Sequence, residues 1–225
     1  MANFASAGSQ RWLQVAVNRR PELLSGALRR SGAVGSRVSV VWSSPLEAED
    51  FQEYRDLQAL EKAGIASLKK PLREFWPARG PVWDAVATAG EGPLFVEAKA
   101  HIAEASSPPT KASPESRELI EQSLAEARRF YAPKATAHWG DIFYQYANRL
   151  AHHYFLNQVN GVPSRLVFLY FVNADDMLGP TTEAEWHGAI RLIHTVLGLP
   201  EELTSFGVFD AFIDARLLSD AIDLE

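Results

Sequence analysis

Glu97 and Lys99 stand two residues apart in the run Leu94-Phe95-Val96-Glu97-Ala98-Lys99-Ala100-His101. Alternate side chains of a strand share a face, so Glu97, Lys99 and His101 point one way together with Phe95. Val96, Ala98 and Ala100 make the opposite face apolar. Charges set between hydrophobic flanks must be paired or must bind something. A second acid, Asp84, lies upstream in Pro81-Val82-Trp83-Asp84-Ala85-Val86. Two carboxylates at close range repel each other, and one is driven to take a proton unless a cation sits between them. A hard divalent cation with oxygen ligands meets that need. Lys99, one step along, would then meet a negatively charged substrate.

Two strands, Val82–Thr88 and Leu94–His101, are predicted to hold these residues, joined through the glycine-rich turn Ala89-Gly90-Glu91-Gly92-Pro93. With Thr88 opposite Pro93, Asp84 falls opposite Glu97, and directly opposed residues share a face about 5 Å apart. Trp83 then faces the other side of the sheet. Around this hairpin, two short helices broken at Pro21 open the chain, with Asn18 available as a cap for the second and Gly32 as its stop. Arg37–Trp42 is predicted as a strand and Pro45–Ala63 as a helix. A helix begins at Ser113-Pro114-Glu115 and runs to about Tyr131. Another spans Trp139–Gln158, with Phe143, Ala147, Leu150 and Tyr154 on its core face. The apolar run Arg165–Asn173 has the pattern of a central strand covered on both faces. Thr182 and Glu185 form a capping box for a helix ending at Leu197, before Gly198. Phe206–Ile213 is a last strand. The expected fold class is α/β: a mixed central sheet with flanking helices, in one domain over 1–225.

Asp84 followed by Glu97-x-Lys99 on a hairpin, with helices before and after, resembles the PD-(D/E)XK nucleases over roughly residues 46–173. The resemblance implies a restriction-endonuclease-like fold, with 1–44 as a helical N-terminal extension and 174–225 as a C-terminal helix and strand. It implies that Asp84, Glu97 and the backbone carbonyl of Ala98 hold Mg²⁺ or Mn²⁺. Lys99 would position the attacking water and stabilise the phosphate. The family motif has proline directly before the aspartate, whereas here Trp83 does so and Pro81 lies three back. Members also draw an acid from the first core helix, and Glu53 is the preferred candidate over Glu47, Glu49 and Asp50. A family glutamine on a helix after the motif has two matches, Gln145 and Gln122. Gln145 and Arg149, one turn apart, would contact a phosphate or the motif carboxylates. His101 is a further candidate for substrate contact. The substrate implied is nucleic acid, DNA by family habit, and a homodimer would suit an enzyme cutting both strands. A non-catalytic module that keeps this fold and binds a partner is the alternative.

Composition narrows the field. The 225 residues include no cysteine, which removes disulfides, thiolate metal sites and cysteine nucleophiles, and fits a reducing cytoplasm. No stretch approaches the roughly 18 apolar residues of a membrane span. No P-loop, GxGxxG, GxSxG or HExxH motif is present. Net charge is −6, with Arg11, Arg19, Arg20, Arg29, Arg30 and Arg37 near the start against Glu22 alone. That arginine-rich, acid-poor opening also has the composition of a transit peptide; its charge reads either as a pair of solvated helix faces or as a local basic surface. A nucleic-acid partner would need a local basic surface, because the rest of the chain is acidic.

Overall fold

A computed structural model describes residues 3–90, 92–176 and 178–222; Glu91, in the hairpin turn, lies outside them. Helices α1 (Gly8–Asn18) and α2 (Pro21–Arg30) lead into β1 (Val40–Ser44), a short 3-10 turn at Glu47–Glu49, β2 (Tyr54–Arg55) and α3 (Asp56–Lys62). Then come β3 (Val82–Trp83), β4 (Ala85–Ala89), β5 (Gly92–Lys99), α4 (Pro114–Tyr131) and α5 (Tyr144–Tyr154). Strand β6 (Arg165–Val172), α6 (Glu183–Leu197) and β7 (Val208–Asp214) complete the chain. Five strands form one mixed sheet in the order β1-β4-β5-β6-β7, antiparallel up to β5 and parallel from β5 to β7. Strands β2 and β3 pair separately.

The sheet has helices on both faces. Trp12, Leu13, Leu24 and Leu28 of α1 and α2 pack on Ala87, Val96, Val167 and Leu169. Helices α3 to α6 pack on the other face through Leu60, Leu124, Leu150 and Trp186, against Phe95, Phe168 and Tyr170. Strand β6 is therefore apolar on both sides. The N-terminal helices form one layer of this fold, and β1 belongs to the sheet.

Several local expectations change. The predicted helix over Pro45–Ala63 is broken. Asp50, Phe51 and Asp56 take positive φ, and Tyr54-Arg55 is drawn into pairing with Val82-Trp83. That long-range ladder overrides a helical periodicity that was only local. Asn18 does not cap α2; its side chain bonds the carbonyls of Gln14 and Pro45 and accepts from Glu47 N. Strand β1 starts three residues later than predicted and runs to Ser44. Helix α5 starts at Tyr144, not Trp139, and passes into a wider π-type turn over Phe155–Val159. Thr182 and Glu185 do form the predicted capping box, and Gly198 ends α6 at φ 71°.

Candidate functional site

The hairpin register places the acids. Thr88 pairs with Pro93 and Ala85 with Val96, so Asp84 comes level with Glu97. The ladder stops there. Asp84 leaves the strand between β3 and β4, and its Oδ2 accepts the N–H of Ala98 at 2.7 Å. A side chain thus replaces the backbone partner that Ala98 would otherwise meet. The N–H and C=O of a strand residue point to the same side, so the Ala98 carbonyl also faces this gap. The break turns Trp83 over. Contrary to expectation, it lies on the same side as Phe95, with ring centroids 4.8 Å apart.

Glu97 points toward α5 and is 1 % exposed. Lys99 Nζ donates to its Oε1 at 2.5 Å, and Arg149 donates to its Oε2 through Nε at 2.5 Å. Burial alone would raise the Glu97 carboxyl, but Arg149 and Lys99 outweigh it and hold it below the ordinary range. Lys99 is subject to the same contest: burial pulls it down, yet Glu97 and Asp84 raise it, so it stays protonated. Asp84 has no such direct cation. Burial, then the charge of Glu97, push it up to about 7.

The other sequence candidates divide. Arg149 reaches Glu97. Gln145 lines a cavity of about 20 Å³ with Glu97, Lys99, Tyr146, Phe168 and Tyr170, roughly the space one water needs. Glu53 lies in the irregular segment before β2, not on a helix, and binds Gln10 Nε2 at 3.1 Å. Burial raises its carboxyl, and Glu97 is close enough to add to the shift. His101 is not on the strand, which ends at Lys99. Its Nδ1 accepts from Ala103 N and caps the 3-10 turn Ile102–Ala105, turned to local structure by the paired Glu104. Gln122 is tied to Glu126 on the surface of α4. Glu47 is paired with Arg19, and Glu49 with Lys62 and the Tyr54 hydroxyl.

Asn148, Arg149, His152 and His153 of α5 are buried, not solvated, and Gln145 is half-buried. His153 bridges the Tyr131 hydroxyl and Ser164 O, and His152 contacts Asn148 O and the Trp76 ring. Asn148 accepts from Arg149 Nη1. The signal in the sequence was the run of directional hydrogen-bonding residues where a solvated face would carry Lys and Glu.

Among the described residues, no three His, Cys, Asp or Glu side chains form a metal cluster by themselves. The donors present still suit Mg²⁺ or Mn²⁺: oxygen atoms only, with an under-neutralised carboxylate at Asp84 and the Ala98 carbonyl aimed at the same gap. Mg²⁺ is held by one or two carboxylates and keeps several waters. Among the described residues, no helix is long and apolar enough to cross a membrane. Fold and site together define a mixed α/β protein with an Asp-Glu-Lys-Arg cluster at a broken hairpin, Glu97 and Arg149 buried and Asp84 and Lys99 half-buried. Comparison with protein-family models, with curated proteins and with solved structures gives no match.

Proposed function

We propose that this chain is a metal-dependent phosphodiesterase of the PD-(D/E)XK nuclease kind, acting on nucleic acid, with DNA favoured through the resemblance. One observation carries the reading: the chain breaks its own hairpin at Asp84 to seat a carboxylate on Ala98 N–H, beside Glu97 and Lys99, with its charge unbalanced. Asp84, Glu97 and the Ala98 carbonyl would hold Mg²⁺ or Mn²⁺. When bound, such an ion polarises a phosphoryl oxygen and lowers the pKa of a water. Lys99 is positioned to act as a protonated donor. One N–H is on Glu97, leaving two for a phosphate oxygen or the attacking water. Gln145, on the wall of the same cavity, orients a water or phosphate oxygen there.

A second reading, a non-catalytic binding protein on the same scaffold, is favoured by a different observation. Both oxygens of Glu97 are already bonded to cationic side chains. The two readings separate in one survey: single- and double-stranded DNA and RNA, each with Mg²⁺, Mn²⁺ or EDTA. The phosphodiesterase reading predicts cleavage of at least one polymer that EDTA abolishes. Retention of nucleic acid without cleavage in any condition would favour the binding reading.

A further inference from the structure

Arg149 is held unusually well for a residue beside a site of this kind. Its side chain is 4 % exposed. Nη2 donates to Val82 O at 2.7 Å, Nη1 donates to Asn148 Oδ1 at 3.0 Å, and the guanidinium lies 4.9 Å from the Trp83 ring centroid. None of these contacts involves Glu97. On the remaining side, Nε and Nη2 each lie 2.5 Å from Glu97 Oε2.

Two consequences follow. First, an oxygen that already accepts from a guanidinium binds a hard dication less tightly, because the two cations repel each other across a few ångströms. Arg149 and the metal therefore compete for Glu97. Second, giving up Glu97 would not release Arg149 from its place, since Val82, Asn148 and Trp83 still hold it. Its freed N–H groups, on Nε and Nη2, would face the place where the Glu97 carboxylate now sits. A guanidinium fork suits two oxygens of a phosphate as well as a carboxylate.

We propose that Arg149 is a built-in counter-ion that competes with the divalent cation for Glu97 and, while staying in its place, turns its freed N–H groups to a phosphodiester oxygen, so that metal binding and substrate binding strengthen each other. This rests on the phosphodiesterase reading. By linkage, the factor by which DNA tightens metal must equal the factor by which metal tightens DNA.

The test is Mn²⁺ binding to the full chain, followed by electron paramagnetic resonance, with and without a short phosphorothioate DNA duplex. For wild type, DNA is expected to tighten Mn²⁺ by about 10-fold or more. Arg149→Met is expected to bind Mn²⁺ about 10-fold tighter than wild type in the absence of DNA, with a smaller further gain from DNA. Arg149→Lys, a point charge without the fork, should fall between them. A folded Arg149→Met that binds Mn²⁺ no tighter than wild type overturns the proposal. If that variant does not fold, wild type decides alone: Mn²⁺ binding that DNA leaves unchanged overturns it equally. Absence of Mn²⁺ binding in every protein, with DNA and without, instead removes the phosphodiesterase reading, and the proposal with it.

Discussion

Replacing Glu97 by alanine lowers the unfolding free energy by about 3–5 kcal/mol, the range for removing one partner of a buried ion pair. The cost comes from what remains. Arg149 is anchored in place and cannot swing out to water, so its charge stays buried opposite an empty position. Lys99 loses its partner too, but at 14 % exposure it can turn toward solvent. Glu97→Gln should cost less, because its amide oxygen still accepts a hydrogen bond. The pH dependence has a definite sign. The folded pKa of Glu97 is depressed, so its contribution is present above the ordinary glutamate range and is lost as pH falls below about 4. Urea denaturation of wild type, Glu97→Ala and Glu97→Gln at pH 7 and at about pH 3 checks both statements: the gap between wild type and Glu97→Gln should narrow in acid.

Asp84→Asn changes stability in the opposite direction. The folded protein raises the Asp84 carboxyl to about 7, so it holds a proton that the unfolded chain has released above about 4. The side that binds more protons gains as pH falls; stability from this group therefore declines as pH rises from about 4 to about 7 and stays lost above. Asparagine carries no charge and can still accept from Ala98 N. The variant should melt higher than wild type at pH 8 without divalent ions, and close to wild type at pH 5. Adding Mn²⁺ at pH 8 should raise the wild-type melting temperature and leave the variant nearly unchanged, since ligand binding to the folded state stabilises by mass action. Cleavage should be lost. A variant that melts lower at pH 8 would contradict this account of Asp84.

How much of this was legible in the sequence depends on how local the cause was. The hairpin register followed from turn chemistry and alternation, so the approach of Asp84 to Glu97 could be read directly. The two-faced burial of β6 and the capping of α6 were equally local. The contact of Arg149 with Glu97 was foreshadowed by helical spacing from Gln145. The break at Asp84 was not. It depends on Tyr54-Arg55 pairing with Val82-Trp83, and on a side chain outcompeting a backbone acceptor at Ala98. The same pairing dissolved the helix predicted over Pro45–Ala63 and left Glu53 in an irregular segment. His101 failed as a strand residue because Glu104 closes a capping box around it. These are contacts between distant segments, or competitions between near-equal local partners, and no single-segment pattern contains them.

The most direct test of the central claim compares Mn²⁺-dependent DNA cleavage by wild type and Lys99→Ala at matched folded concentrations. The account predicts cleavage by wild type that EDTA stops, and a rate about 10²–10³-fold lower in the variant, the usual cost of removing one donor that stabilises developing charge. Metal-dependent cleavage that survives unchanged in Lys99→Ala would place the chemistry elsewhere in the molecule and contradict it.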